Sequence, residues 1–119
     1  MDFEGAKALC RTFPGATEDI KWGEDLVFSV GEKMFAVTRD GSPARGMSFK
    51  VEDERFLELT DRPGIIPAPY LARAKWIYIE DANALDDAEA AALLRRSYEL
   101  VFAKLSKKLQ REISESELT

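Results

Sequence analysis

The stretch DLVFSVGEKMFAVTR, residues 25–39, decides the fold. Two runs rich in valine and phenylalanine flank Gly31-Glu32, and a glycine opening a two-residue connection suits a type II′ hairpin turn. That turn sets a register in which Val30 faces Lys33, Phe28 faces Phe35 and Leu26 faces Val37. Cross-strand partners share a face. Leu26, Phe28, Val30, Phe35 and Val37 are therefore expected on the core side, and Val27, Ser29, Met34, Ala36 and Thr38 on the other.

Outward from the hairpin, residues 40–46 (DGSPARG) read as an exposed loop. A third strand follows at 46–51, where Met47, Phe49 and Val51 alternate with Ser48 and Lys50. Residues 52–61 regain helical character and begin with acids, as the helix dipole favours. The prolines at 63, 67 and 69 exclude a helix or central strand, so that segment reads as an irregular connection. Residues 74–80 form a further strand, with Trp76 and Tyr78 on one face.

The ends of the chain read as helices. Over residues 2–13, Phe3, Ala6, Cys10 and Phe13 share one stripe, and Asp2 can cap the start. From Asp86, with Glu89 three residues on, Leu94, Tyr98, Val101, Leu105 and Leu109 trace one helical face to about residue 111. The order α-β-β-β-α-β-α predicts an α+β fold: one domain over residues 1–113, an antiparallel sheet flanked by helices, a long C-terminal helix, and a short acidic tail at 114–119.

Composition narrows the chemistry. The 119 residues are 45% apolar and 33% charged, with a formal charge of −5. This is a globular composition rather than a disordered one. No histidine is present, which removes the commonest general base and the commonest metal ligand. Cys10 is the only cysteine and lies on an apolar stripe, so it is expected as a buried, inert thiol. The adjacent pairs Glu18-Asp19, Glu24-Asp25 and Asp86-Asp87 suit turns and helix starts better than catalysis. No phosphate-cradling glycine loop and no nucleophile elbow occurs. The expectation is a protein that is not an enzyme and uses no cofactor or metal. With no secretory signal and no membrane span, it is expected in the cytoplasm, as a monomer.

Basic residues fall in three groups. Tyr70, Arg73, Lys75 and Trp76 follow the proline-stiffened loop, and aromatics beside cations are the ingredients of a phosphate- or base-contacting surface. Lys33, Arg39, Arg45 and Lys50 surround the hairpin and its following loop. Lys104, Lys107, Lys108 and Arg111 share one helical face, where proximity to the C-terminus of the long helix is a sufficient local explanation. The net charge hides this pattern: segments 33–50, 62–79 and 93–111 carry +3, +3 and +5. An acidic domain must gather such segments on one surface to hold a polyanion.

The pieces FPGATEDIKWG (13–23), VGEKMFAV (30–37), SFKV (48–51), PGIIPAPYLARAKWIYI (63–79) and SYELVFAKLSKKL (97–109) together resemble the MmcQ/YjbR-like family of small bacterial proteins. The resemblance implies an α+β domain with an antiparallel sheet. It also implies double-stranded DNA binding through a double-wing architecture, with the loop after Val37, bearing Arg39 and Arg45, as a wing. Lys33, Lys50, Arg73 and Lys75 would then contact phosphates, while Trp22 and Trp76 would be structural. The alternative is a non-enzymatic adaptor, taking a protein or a small anionic ligand in a pocket at Tyr70 and Trp76 beside Arg73.

Overall fold

The hairpin forms as β2 (Asp25–Val30) and β3 (Lys33–Arg39) in the computed structural model, which describes residues 1–39 and 46–117. Its turn departs from expectation. Gly31 and Glu32 have φ values of 56° and 68°, the paired positive angles of a type I′ turn rather than II′. Val30 faces Lys33 as expected, but Phe28 faces Ala36, Val27 faces Val37 and Leu26 faces Thr38. Phe35 is an extra residue, a β-bulge. The bulge sends both Phe35 and Ala36 into the core. Beyond it the alternation is inverted relative to the simple register, so Thr38 is buried and Val37 only half-buried.

Four more strands complete one antiparallel sheet: β1 (Ala16–Lys21), β4 (Met47–Lys50), β5 (Ile65–Pro67) and β6 (Trp76–Ile79). Their order is β1-β2-β3-β4-β6-β5. Neither β1 nor β5 follows from the sequence pattern. β1 is a charged edge strand, exposed along nearly its whole length, and charge on an edge discourages pairing with other chains. The irregular connection expected over the prolines contains β5, which is short and lies on the other edge, where proline is tolerated.

The helices are α1 (Phe3–Thr12), α2 (Asp53–Thr60), α3 (Asp87–Phe102) and α4 (Lys107–Glu117). Both expected aspartate caps form: Asp2 accepts from the Glu4 amide, and Asp86 from the Glu89 amide at 2.7 Å. The single long C-terminal helix does not form. It breaks between α3 and α4, where the Ser106 hydroxyl accepts from the Leu109 amide and so caps a new helix. The Gln110 side-chain amide turns back toward the end of α3, 3.2, 3.3 and 3.0 Å from the carbonyls of Phe102, Ala103 and Leu105. Those are the acceptors that a helix end leaves open. The segment expected as a tail is helical as far as Glu117.

The core lies between the sheet and α1 and α3, around Phe28, Phe35, Phe49, Ile77, Ile79 and Leu94. The Tyr98 ring is stacked 5.8 Å from Phe102 and edge-on to Phe35 at 5.5 Å, and Phe13 lies 5.0 Å away. Such pairs add roughly 0.5–1.5 kcal/mol each beyond the area they bury. Cys10 sits in this core, and burial pushes its thiol up to about 12. It stays protonated and unreactive.

Ser97 fastens α3 to the bulge. Its fully buried hydroxyl donates to the Phe35 carbonyl at 2.7 Å and accepts from the Lys50 amide at 3.0 Å. The β3–β4 ladder stops at the pair Ala36 and Phe49, so the serine supplies partners where the ladder runs out. Replacing it by alanine orphans both groups, at about 1–3 kcal/mol for each. Urea denaturation of Ser97→Ala is expected to show a midpoint lowered accordingly, with an unchanged m-value.

Surface charged pairs give stability a modest dependence on acid pH. Hydrogen bonds from Arg11, Arg96 and Arg55 hold the carboxyls of Glu18, Glu52 and Glu58 below the usual 4.5. A carboxyl lowered in the folded state stabilises above its unfolded value, and that contribution is lost as pH falls through the folded one. No imidazole titrates at higher pH. Thermal melting is therefore expected to be level between about pH 5.5 and 7 and to fall below about pH 4.5.

Candidate functional site

One end of the sheet collects cations. β3 begins there with Lys33, and β4, antiparallel to it, ends there with Lys50. Lys50 pairs with Trp76, the residue after Lys75. Before Trp76 the chain makes a single 3-10 turn, Ala72–Ala74, carrying exposed Arg73. The Lys50 ammonium donates to the Ala74 carbonyl at 2.5 Å, tying β4 to that turn. Lys75 has a φ of 63°, and its ammonium lies 5.1 Å above the Phe56 ring, a cation–π contact.

Helix α3 brings Lys104, the first of the C-terminal basic group, to the same end. Ser97 fixes the helix against Lys50, and the chain then runs on to Lys104. Lys50 is lowered from its ordinary value first by partial burial, then by repulsion from Lys104, with Lys75 adding a smaller push and Asp53 opposing. At Gly31, a Cβ would lie 2.7 Å from the Leu105 side chain. The β2–β3 turn therefore abuts the α3–α4 turn.

The break between α3 and α4 changes how the last basic group is read. Lys107 and Lys108 stand in the first turn of α4, not near the end of a long helix. The helix dipole opposes cations there, so the local explanation expected from sequence does not hold for them. They are exposed, as are Lys104 and Arg111.

Ion pairing divides the surface. Lys7 pairs with Glu4, Arg11 with Glu18, Arg55 with Glu58, Arg62 with Glu89 and Arg96 with Glu52, the last of these pairs beside Lys50 itself. Among the described residues, Lys33, Lys50, Arg73 and Lys75 form no ion pair with a carboxylate, and neither do Lys104, Lys107, Lys108 and Arg111. Acids stand at both ends: Glu32 precedes Lys33, and Glu52, Asp53 and Glu54 follow Lys50. Segment 80–92, with a charge of −5, follows the far end of β6 and begins α3.

The residues singled out from sequence are thus divided. Lys33, Lys50, Arg73 and Lys75 come together. Arg39 ends β3, paired with Asp25, about 20 Å along the strand from Lys33 at the usual rise. Arg45 and the wing loop at 40–45 lie outside the described residues. Tyr70 is fully exposed while Trp76 is buried, so the two side chains face different surroundings. A cleft of about 470 Å³ is lined by Phe102, Lys107, Gln110, Arg111, Ser114 and Glu115, and another of about 330 Å³ lies between α1 and α3. Neither is lined by Tyr70 or Trp76. Among the described residues, no group of acidic or cysteine side chains could hold a metal ion, and no helix is long and apolar enough to cross a membrane. Sequence reasoning discounted Lys104, Lys107 and Lys108. The available signal was Ser106, a capping residue type inside an otherwise continuous apolar stripe.

Comparison with known proteins places the fold. A crystal structure of Deinococcus radiodurans protein DR2400, which carries a DUF419 domain, superposes with a TM-score of 0.82 at 27% sequence identity, covering 94% of this chain and 87% of that one. A crystal structure of a protein from Pseudomonas syringae superposes with a TM-score of 0.70 at 21% identity, covering 85% and 99% respectively, and shares the fold. No curated protein matches the chain. Residues 11–100 match the sequence profile of the YjbR family, and the chain belongs to that family.

Proposed function

We propose that this protein is a nucleic-acid-binding module that holds the phosphate backbone with the cations at the Lys33–Lys50 end of its sheet. One observation carries the reading. Lys33, Lys50, Arg73, Lys75 and Lys104, none of them in an ion pair, lie toward that end, while Lys7, Arg11, Arg55, Arg62 and Arg96 each pair with a carboxylate. Burial lowers Lys50 most, and repulsion from Lys104 adds to it, so clustering these charges costs free energy. A polyanion offsets that cost.

Three further features support an extended anion over a small one. The cations are spread over a hairpin, a loop and two helix ends rather than gathered in one pocket. Several are lysines on flexible stems, which serve as point charges rather than a bidentate clamp. The acids of segment 80–92 lie toward the opposite end, so that part of the net charge does not oppose local attraction. The double-wing arrangement belongs to this proposal as well, with Arg39 and the loop after it as a second, separate contact.

Titrating labelled duplex and single-stranded oligonucleotides at about 50 mM salt is expected to show binding that weakens steeply as salt rises. Replacing Lys104, Lys107 and Lys108 together by glutamine removes charges that folding does not need. That variant is expected to lose at least about tenfold in affinity, with a salt slope shallower by roughly 0.7–0.9 for each phosphate no longer neutralised. The single change Lys21→Gln, on the edge strand at the other end of the sheet, is expected to lose less than about twofold. Absence of binding to either oligonucleotide at that salt overturns the proposal.

A further inference from the structure

We propose that this end of the sheet prefers single-stranded nucleic acid to duplex, with Tyr70 as a stacking platform for an unpaired base. The inference rests on the nucleic-acid reading above and specifies its ligand.

Tyr70 is fully exposed, at 105% of the reference area. It has no ring partner among the described residues. Its backbone is left-handed, with a φ of 67°, a region that bulky side chains rarely adopt. Such strain persists only where surrounding structure enforces it. Here the enforcement is visible. Pro67 and Pro69 restrict the chain before Tyr70, and the Ala68 amide donates to the Trp76 carbonyl at 3.0 Å. The Leu71 amide donates to Ala68 at 3.2 Å, and the Trp76 amide to Leu71 at 3.2 Å. Buried Trp76 anchors the loop from below, and Lys50 holds it at Ala74. The result is an aromatic ring presented to solvent on a stiff loop.

Its neighbours identify what that ring can meet. The bond from Trp76 to Leu71 brings together the two sides of the loop, where Tyr70 and Lys75 directly precede the bonded residues. Arg73 lies between them in sequence, and Lys50 and Lys104 lie beyond. An exposed ring on a short loop that also carries Arg73 and Lys75 matches a base attached to a phosphate backbone. In a duplex each base is already stacked and paired, so the ring gains a partner only if the helix opens. An unpaired base is free to stack, and every base offers a face to do so. Trp22 makes the contrast. It is also exposed and left-handed, with a φ of 51°, but it sits at the other end of the sheet next to Glu24 and Asp25 in the chain.

Fluorescence anisotropy tests this with a labelled DNA strand of about 12 nucleotides, an RNA strand of the same sequence, and the DNA duplex. The protein is expected to bind one or both single strands at least about fivefold more tightly than the duplex. Tyr70→Ala is expected to weaken single-strand binding by about 5- to 100-fold and to leave duplex binding unchanged. Tyr70→Phe is expected to retain most of the affinity. Tyr70→Asn, whose side chain tolerates left-handed backbone, is expected to behave like the alanine variant while keeping the wild-type melting temperature. Equal affinity for strand and duplex, or full single-strand affinity in Tyr70→Asn, overturns the preference and leaves the phosphate-binding proposal standing. Failure of every oligonucleotide to bind overturns both.

Discussion

The hydroxyl of Ser97 is the joint on which the rest of the molecule depends. It stands where three requirements meet: a bulged residue whose carbonyl lacks a ladder partner, a strand whose last amide has outrun its neighbour, and a helix that must pack over both. Donating to Phe35 and accepting from Lys50 satisfies all three with one side chain. Because the site is dry, neither backbone group can turn to water instead. The helix is therefore fixed in rotation and in height relative to the sheet. That height carries α3 past the end of β4, so that Lys104 comes near Lys50. The packing of the core and the placement of the cations are two results of the same bond.

How much of this was legible in the sequence depends on where the information is stored. The hairpin, the third strand, both aspartate caps and the buried cysteine are local, written in alternation, turn residues and helical spacing. The bulge at Phe35 is not local. It becomes favourable only when a helix offers a hydroxyl to the freed carbonyl, and Ser97 lies 62 positions away. Strand β1 was hidden because an edge strand with charges on both faces shows no apolar alternation. Strand β5 was hidden because its flanking prolines read as a breaker. The split between α3 and α4 was masked by Leu105 and Leu109, which continue the apolar stripe even though they pack against the β2–β3 turn.

The basic surface shows the same division. The chain's three positive segments could be counted from sequence, but counting could not bring them together. Two crossings do that: the antiparallel pairing of Lys50 with Trp76, and the seating of α3 on Ser97. The group at Arg39 and Arg45 looked equivalent to the others along the chain. Strand direction separates Arg39 from them, because β3 begins with one group and ends with the other. The status of Lys107 and Lys108 turned on a single cap. Placed before the end of one long helix they needed no explanation, whereas at the start of a new helix they oppose the dipole.

The charge on α3 and its flanking segments is polarised along the helix, acidic over residues 80–92 and basic over 93–111. The helix spans about 24 Å at the usual rise, so the molecule carries a large permanent electric dipole in addition to its net charge. In the field of a polyanion such a body feels a torque as well as a force. The orientation in which the basic end leads is the one of lowest energy there, so the dipole ranks the molecule's faces where the net charge alone could not.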